Sequence, residues 1–205
     1  ATAVALNITA IRPSARGFIT LFPCDGDRPT TSSLNYTAGA VVANSAIASL
    51  SATGSLCVFT RATTHLAIDV NAALTDSRGF GAFAPARLFD SRPGADAPTV
   101  DGDGKPNRRL LPQSVTEVFV AGRGGVPDEA TAVALNVTAI RSSGRGFVTL
   151  FPCDAPRPLA SSLNFAAGDV RANSAIVKLS ADGRLCVYTI AETNLAIDVN
   201  AAWTG

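Results

Sequence analysis

Residues 1–25 are ATAVALNITAIRPSARGFITLFPCD, and residues 130–154 are ATAVALNVTAIRSSGRGFVTLFPCD. The match continues without a gap, so that residues 1–76 align with residues 130–205. Of the 76 aligned positions 54 are identical, and we therefore expect both copies to adopt the same fold. The chain is organised as a first repeat, 1–76, and a second repeat, 130–205.

A segment of 53 residues, 77–129, lies between the two copies and occurs once. The complete repeating unit is then 129 residues long, and the chain contains more than one unit but less than two. We expect this connecting segment to complete one of the two repeats, and the sequence does not indicate which. Two interpretations stay open. The chain is a fragment of a longer array, or neighbouring chains supply the missing strands to the shorter repeat.

The hydrophobic pattern within each copy is that of β-strands. Val4, Leu6 and Ile8 alternate with small or polar residues, which is the period of two expected of a half-buried strand. Gly, Asn, Asp, Ser and Pro separate the short apolar runs, as they do at turns between strands. The predicted strands of the first copy are 2–11, 17–22, 32–36, 45–50, 56–60 and 66–72, with the same six in the second copy, and the connecting segment adds 86–91 and 115–121.

Short, regularly spaced strands without a helical pattern predict an all-β fold. We favour two homologous antiparallel β-sandwich domains in tandem, jelly-roll or immunoglobulin-like, with one disulfide each. A β-trefoil or a single merged sandwich is the alternative. The predicted hairpin turns at 52–54 and 181–183 each end in Gly, which adopts a positive φ without strain.

The four cysteines allow three disulfide pairings. The duplication favours Cys24–Cys57 and Cys153–Cys186, one bridge in each copy, because each copy must fold by itself. A loop of this length contributes about 3–4 kcal/mol in the chain-entropy description of disulfide stabilisation. Disulfides form in oxidising compartments, so the cysteines predict an extracellular or cell-surface location.

Motifs for catalysis and cofactor binding are absent from the sequence. There is no C-x-x-C pair, nucleophile elbow, H-E-x-x-H or phosphate-binding glycine loop. His65 is the single histidine and is replaced by Asn194 in the second copy, so a function shared by both copies cannot depend on an imidazole. Two thiolates without two further ligands do not complete a zinc site. We expect a protein that is not an enzyme and binds no cofactor.

One weak metal signal occurs in the connecting segment. Residues 100–107 are VDGDGKPN, in which Asp101, Asp103 and Asn107 resemble part of an oxygen-rich calcium loop. Lys105 stands where a third acidic ligand is expected, and no bidentate Glu follows. The same sequence is suited to a plain turn.

Polar residues recur at the predicted strand ends of both copies, and in the first copy they are Asn7, Asn35, Asn44, Asp69 and Asn71. They suit the rim of a ligand site, but Asn and Asp at such positions more often satisfy backbone groups at turns and edges.

Oppositely charged residues lie close together in the connecting segment. They are Arg87, Asp90 and Arg92 in the run RLFDSR. Neighbouring opposite charges on a strand favour a structural ion pair over a functional site.

The composition excludes several classes of protein. With 47% hydrophobic and 16% charged residues, the chain is not intrinsically disordered. A net charge of +1 provides no basic surface for nucleic acid. No apolar run reaches the 18 residues that a membrane-spanning helix needs.

Several runs of the chain together resemble tandem β-rich repeats of secreted and cell-surface proteins of actinobacteria. The resemblance lies in ALNVTAI at 134–140, GFVTLFPCD at 146–154, RPLASSLNF at 157–165, LCVYT at 185–189 and LAIDVNAA at 195–202, together with PARLFDSRPG at 85–94 and VTEVFVAGRGGVP at 115–127. It implies export, a β-rich module and a tandem arrangement in long polypeptides. No catalytic residue is implied by it.

These observations lead to two hypotheses about function. In the first, the chain is an extracellular structural module, a building block of a surface fibre, stalk or sheath. Its partners are neighbouring modules or chains, joined by head-to-tail self-association and possible strand exchange. In the second, it is an adhesin-like or carbohydrate-binding module of a larger secreted protein, with a surface glycan or protein as ligand.

Overall fold

The computed structural model describes residues 1–75, 79–94 and 98–205. Across these residues the chain forms fourteen β-strands and no helix, and hence no helix that could cross a bilayer. The strands are β1 Ala3–Ile11, β2 Gly17–Pro23, β3 Leu34–Tyr36, β4 Val41–Ser49, β5 Leu56–Thr60, β6 His65–Leu74, β7 Phe80–Asp90, β8 Ser114–Phe119, β9 Ala130–Ile140, β10 Gly146–Pro152, β11 Leu163–Phe165, β12 Val170–Lys178, β13 Arg184–Thr189 and β14 Asn194–Thr204.

The first copy folds into two antiparallel sheets of three strands each, which we call the first sandwich. The strand orders are β4-β1-β6 and β3-β2-β5. Alternate residues of the central strands, Leu6 and Ile8 on β1 and Ile19 and Leu21 on β2, are buried together in one apolar cluster. This is the arrangement that the period of two predicts, with one face of each sheet turned inward.

The second copy repeats this arrangement with one more strand in each sheet, and we call it the second sandwich. Its strand orders are β12-β9-β14-β7 and β11-β10-β13-β8. The added strands come from the connecting segment, since β7 pairs with β14 and β8 pairs with β13. The segment therefore extends the second sandwich, and its Leu88, Val118 and Val120 join the larger core there.

The predicted fold class, tandem antiparallel β-sandwiches with one disulfide each, is confirmed. The hairpin turns also form as expected, with φ of 79° at Gly54 and 74° at Gly183. At Gly183 a Cβ atom would lie 2.4 Å from the Cβ of Ala121, so this turn requires glycine for space as well as for φ.

Strand β7 is longer than predicted, because it begins at Phe80 and not at residue 86. Pro85 lies within it and donates no hydrogen bond. This is tolerated because β7 is the end strand of its sheet and pairs on one side.

Each sandwich has two lateral edges, where its two sheets end side by side, and we name each edge by the strands that form it in the first sandwich or by their counterparts in the second. The first sandwich has a β3–β4 edge and a β5–β6 edge, and the second has the corresponding β11–β12 edge and β13–β14 edge. β8 and β7 cover the β13–β14 edge. No strand of the described residues covers the β5–β6 edge.

Candidate functional site

In each sandwich a disulfide joins two neighbouring strands of one sheet, the β3-β2-β5 sheet of the first sandwich and the β11-β10-β13-β8 sheet of the second. Cys24 follows β2 and bonds to Cys57 on β5, and Cys153 follows β10 and bonds to Cys186 on β13. The Cα atoms are 4.9 Å apart in both pairs. The predicted pairing of one bridge within each copy is confirmed.

A buried ionic network fixes β7 to β14. Arg87 Nε donates to Asp198 Oδ1 at 2.8 Å, and Arg87 Nη1 donates to Asp90 Oδ2 at 3.2 Å. Arg92 Nη2 donates to the same Asp90 oxygen at 2.6 Å. The ion pairing predicted for the RLFDSR run is thus confirmed, and it extends to a carboxylate of the second repeat that the sequence did not connect with it.

The oppositely charged groups of this network stabilise one another's ionised forms, although they are buried away from water. Burial lowers the pKa of Arg87, but the carboxylates of Asp198 and Asp90 more than offset it, so its pKa is raised. A buried guanidinium with two carboxylate partners also has fixed geometry, because its donors match carboxylate oxygens in one plane. The network therefore determines where the connecting segment lies on the second sandwich.

A second ion pair occupies the predicted calcium loop. Arg123 Nε donates to Asp101 Oδ2 at 2.6 Å and Arg123 Nη2 donates to Asp101 Oδ1 at 2.8 Å. These hydrogen bonds lower the pKa of Asp101 to about 2. Asp103 offers its backbone carbonyl to Arg123 at 3.2 Å, while Asn107 is exposed with a φ of 53°. The positive charge beside Asp101 is therefore a guanidinium, and nowhere in the described part of the chain do three His, Cys, Asp or Glu gather as a metal-binding group.

Arg123 also holds the two strands of the connecting segment together. Its Nη1 donates to the Phe119 carbonyl oxygen at 2.6 Å, at the end of β8. Its Nη2 donates to the Leu88 carbonyl oxygen of β7 at 3.0 Å. The segment is therefore one cross-linked unit that adds a strand to each sheet at once.

The two sandwiches meet at a polar junction. The β3–β4 edge of the first packs against the outer face of the β12-β9-β14-β7 sheet, meaning the face turned away from the core of the second. Asn44 Nδ2 donates to Asn136 Oδ1 at 2.9 Å, and the Ser174 amide donates to Asn44 Oδ1 at 3.1 Å. Asn136 Nδ2 donates to the Ser32 carbonyl, and the Ser32 amide donates to Asp198 Oδ2 at 3.3 Å.

The junction and the ionic network share Asp198. This carboxylate accepts hydrogen bonds from Arg87 of the connecting segment and from the Ser32 amide of the first sandwich. Asn44, Asn136 and Asp198 are all buried. Buried polar groups that are fully paired specify one orientation, because a misaligned contact leaves them without partners.

The strand-end polar residues predicted from the sequence have two different roles. Asn44 and the second-copy counterparts of Asn7 and Asp69 bond across the junction. Asn35 has a local role, since its Nδ2 donates to Ser32 Oγ at 3.0 Å. Sequence reasoning missed Ser32 and Ser174 because they act at the junction through backbone groups, which leave no side-chain signature.

Each of the two surfaces that meet in the junction occurs a second time in the chain, on the other sandwich, where its residues are exposed. The counterparts of Ser32 and Asn44 are Ser161 and Asn173, which are exposed on the second sandwich. The counterparts of Ser174 and Asp198 are Ser45 and Asp69, which are exposed on the first.

Two cavities among the described residues are partly open to solvent. One, of about 400 Å³, lies beside the turn 180–183 and has Asp128 and Asp182 in its wall. Hydrogen bonds from Ser180 and Arg184 lower the pKa of Asp182. The other, of about 210 Å³, lies between residues 29–31 of the first sandwich and the connecting segment.

Comparison with known proteins adds little to this geometry. No protein-family model and no curated protein matches the chain. Among solved structures, it is similar to the N-terminal CBM22-1–CBM22-2 tandem domain of Xyn10C from Paenibacillus barcinonensis, at 15% sequence identity over 99% of this chain and 79% of that chain. The TM-score is 0.27, which is too low for this likeness to bear on what the chain binds.

Proposed function

We propose that the protein is a non-enzymatic structural module, a building block of an extracellular fibre, stalk or sheath in which repeats associate head to tail. The observation that carries this proposal is the junction within the chain. Its two sides are different surfaces, and each sandwich possesses both of them. The side that the first sandwich uses is free on the second, and the side that the second uses is exposed on the first.

The residues of the free surfaces are identical to those that bond in the junction. The β11–β12 edge carries Ser161 and Asn173, which correspond to Ser32 and Asn44. The outer face of the β4-β1-β6 sheet carries Asn7, Ser45 and Asp69, which correspond to Asn136, Ser174 and Asp198 of the second sandwich. An Asn173 of one chain therefore finds in the next chain the same partners that Asn44 finds within its own.

The free β11–β12 edge is already arranged for this contact. Asn173 Nδ2 donates to the Ser162 carbonyl at 2.8 Å, as Asn44 Nδ2 donates to the Ser33 carbonyl at 2.7 Å. Side chains that are held in the bound geometry before contact lose less conformational entropy on association. This preorganisation supports a repeated use of the junction.

The exposure of Leu159 is further support for a contact at the β11–β12 edge. This residue is 98% exposed, and its counterpart in the first sandwich, Thr30, lines the cleft at the junction. A head-to-tail contact would cover this leucine and remove its apolar surface from water. Because the two sides of the contact differ, its repetition gives an open chain of subunits wherever the rotation between neighbours does not close into a ring.

The disulfides support an extracellular site of assembly. Each sandwich has one, and such bonds persist where the environment is oxidising. In a fibre or stalk outside the cell, the disulfides would also stabilise the folded state of each sandwich.

The experiment is sedimentation velocity of the intact chain over a range of concentrations, followed by negative-stain electron microscopy. We expect association that grows with concentration and linear particles with a repeat of one chain. Asn173→Arg places a charge in the contact and should abolish association. Val115→Arg, on the exposed side of β8 at the opposite edge, is the matched control and should associate like the parent. A strictly monomeric parent, or equal association of both variants, would refute the proposal.

A further inference from the structure

The β5–β6 edge of the first sandwich is exposed where the second sandwich is covered. Leu66, Ile68 and Val70 on β6 are 38%, 40% and 63% exposed. Their counterparts on β14, Leu195, Ile197 and Val199, are all 0% exposed. Since the sequence of these positions is the same, the difference arises from the strands that lie against them.

The sheets that contain β5 and β13 show the same difference at this edge. Leu185 and Val187 on β13 are fully buried, and β8 pairs with that strand. Leu56 and Val58 on β5 are partly exposed. In the second sandwich, Leu88 and Val118 of the connecting segment close the core at this end. No residue of the described chain closes the corresponding end of the first sandwich.

The pairing seen in the second sandwich can be transferred to the first without conflict. Strand β7 pairs with β14 so that Phe89 lies opposite Ile197, Arg87 opposite Asp198 and Ala86 opposite Val199. Residues 68–70 and 197–199 are both Ile-Asp-Val. The same register would put Arg87 of a bound segment opposite Asp69.

Charge is complementary at this position. Asp198 is buried and bonded to Arg87 of β7. Asp69 is exposed, and within residues 1–75, 79–94 and 98–205 it makes no ion pair. An incoming arginine in the β7 register would restore the pair that fixes the segment on the second sandwich.

We propose that the β5–β6 edge of the first sandwich is a binding site for a second copy of the connecting segment, donated by another repeat and added as one strand to each sheet. The unpaired N–H and C=O groups of β5 and β6 supply the main-chain bonds, and the apolar residues of the segment complete the core. Asp69 selects the register through the segment's Arg87.

The donor is a segment that is not paired with a sandwich of its own. The segment of this chain is held on β13 and β14 by strand pairing and by the Arg87 network, so it is not free to serve a neighbour. The role of this strand addition in assembly rests on the proposed function. In the second sandwich, Arg87 of β7 bonds to Asp198, and Asp198 accepts a hydrogen bond from Ser32 across the junction. Strand addition to the first sandwich would therefore complete its outer face for the next subunit.

The test uses the full chain and a separately produced polypeptide of residues 79–129. Trp203 lies opposite Phe80 on β7, with their rings 5.2 Å apart, and Leu74 is the counterpart of Trp203. In a chain carrying Leu74→Trp and Trp203→Phe, the introduced indole reports on the β5–β6 edge alone. We expect a saturable change of its fluorescence at one segment per chain. The parent chain, with Trp203 as its single tryptophan, should show no change.

The pairing register is tested by substitutions in the separate segment, so the chain to which it binds is unchanged. Arg87→Gln in the segment should weaken binding at least about tenfold, because Asp69 then lacks its partner. Arg108→Gln removes one charge at an exposed position of the segment and should bind like the parent segment. Titration is done at chain concentrations at which sedimentation shows monomers, so this result does not depend on the head-to-tail contact.

Four results would overturn the proposal. The indole at position 74 does not respond to the segment. The Arg87→Gln and parent segments bind with the same affinity. Trp203 of the parent chain responds instead, which would mean that the added segment exchanges with β7 on the second sandwich. A response of position 74 to a second intact chain but not to the segment would likewise assign the edge to a different occupant.

Discussion

The first and second sandwiches differ in completeness, although their sequences are nearly the same. Strands β6 and β14 share the run LAIDVNAA, yet alternate residues of β6 face solvent and those of β14 lie in the core. The connecting segment accounts for this difference, because its strands cover the edge of the second sandwich and not that of the first. Burial is thus a property of the neighbours of a strand as much as of its own residues.

The comparison also separates positions whose role is fixed by the fold from those whose role depends on assembly. The disulfides and the inward residues of the central strands are alike in both copies. Asn44 and Asn173, or Asp69 and Asp198, are alike in sequence but differ in what they contact. Matched substitutions in the two copies therefore measure the contacts and not the residue types.

Removal of a disulfide should have the largest effect. Cys24→Ala with Cys57→Ala, or Cys153→Ala with Cys186→Ala, should each lower the free energy of unfolding of its own sandwich by about 3–4 kcal/mol. The first sandwich has the smaller core and should then unfold separately, while the second keeps a cooperative transition. Differential scanning calorimetry under non-oxidising conditions measures both transitions. Equal behaviour of the two double variants would contradict the difference between the cores.

Truncation of the same isoleucine in the two copies should give the next largest effect. Ile197→Ala leaves a cavity in a fully buried site and should cost about 2–5 kcal/mol. Ile68→Ala removes a side chain that is already partly in water and should cost about 1 kcal/mol or less. Urea denaturation followed by circular dichroism provides the two values. If Ile68→Ala is as costly as Ile197→Ala, the β5–β6 edge is covered in solution.

The junction is tested by the matched pair Asn44→Ala and Asn173→Ala. Asn44→Ala leaves Asn136 Oδ1 and the Ser174 amide without their partner and should cost about 1–3 kcal/mol. Asn173→Ala removes one exposed hydrogen bond and should cost about 0.5 kcal/mol. Small-angle scattering should show the sandwiches separating in the first variant alone. An unchanged profile for Asn44→Ala would mean that other contacts hold the junction.

The smallest expected effect is the loss of stability at low pH that arises from Asp101. The pKa of Asp101 is about 2, below its ordinary value of 3.8, so its stabilisation is present above about pH 4 and is lost as pH falls towards 2. Its side chain is 35% exposed, and screening by solvent limits the contribution to about 1 kcal/mol or less. Asp101→Asn should thus be less stable than the parent at pH 6, and the difference should shrink as pH falls through 2. Asp103→Asn is the control, since Asp103 meets Arg123 through its backbone carbonyl. A gap between parent and Asp101→Asn that is as large at pH 2 as at pH 6 would contradict the pairing.

Much of the fold could be predicted from local pattern. The six strands of each copy follow from the period of two and from turn residues, and the disulfides follow from the duplication. The first half of β7 was missed because FGAFAP lacks alternating large residues and contains Pro85, which an end strand tolerates.

The partner of the connecting segment could not be predicted. β6 and β14 offer it the same sequence, so no local preference separates the two. The choice depends on contacts between distant residues, such as Arg87 with Asp198. The junction could not be predicted for a related reason, since three of its four hydrogen bonds involve backbone groups of Ser32 and Ser174.

Hydrogen exchange of β6 and β14 in the intact chain tests most directly that identical strands occupy unequal environments. β14 is bonded on both sides, to β9 and β7, whereas β6 is bonded to β1 alone. We expect slow exchange along the whole of 194–204, and fast exchange at alternate amides of 65–74, those that point away from β1. Equally slow exchange of the two strands would contradict this expectation, because the first sandwich would then be closed without a donated strand.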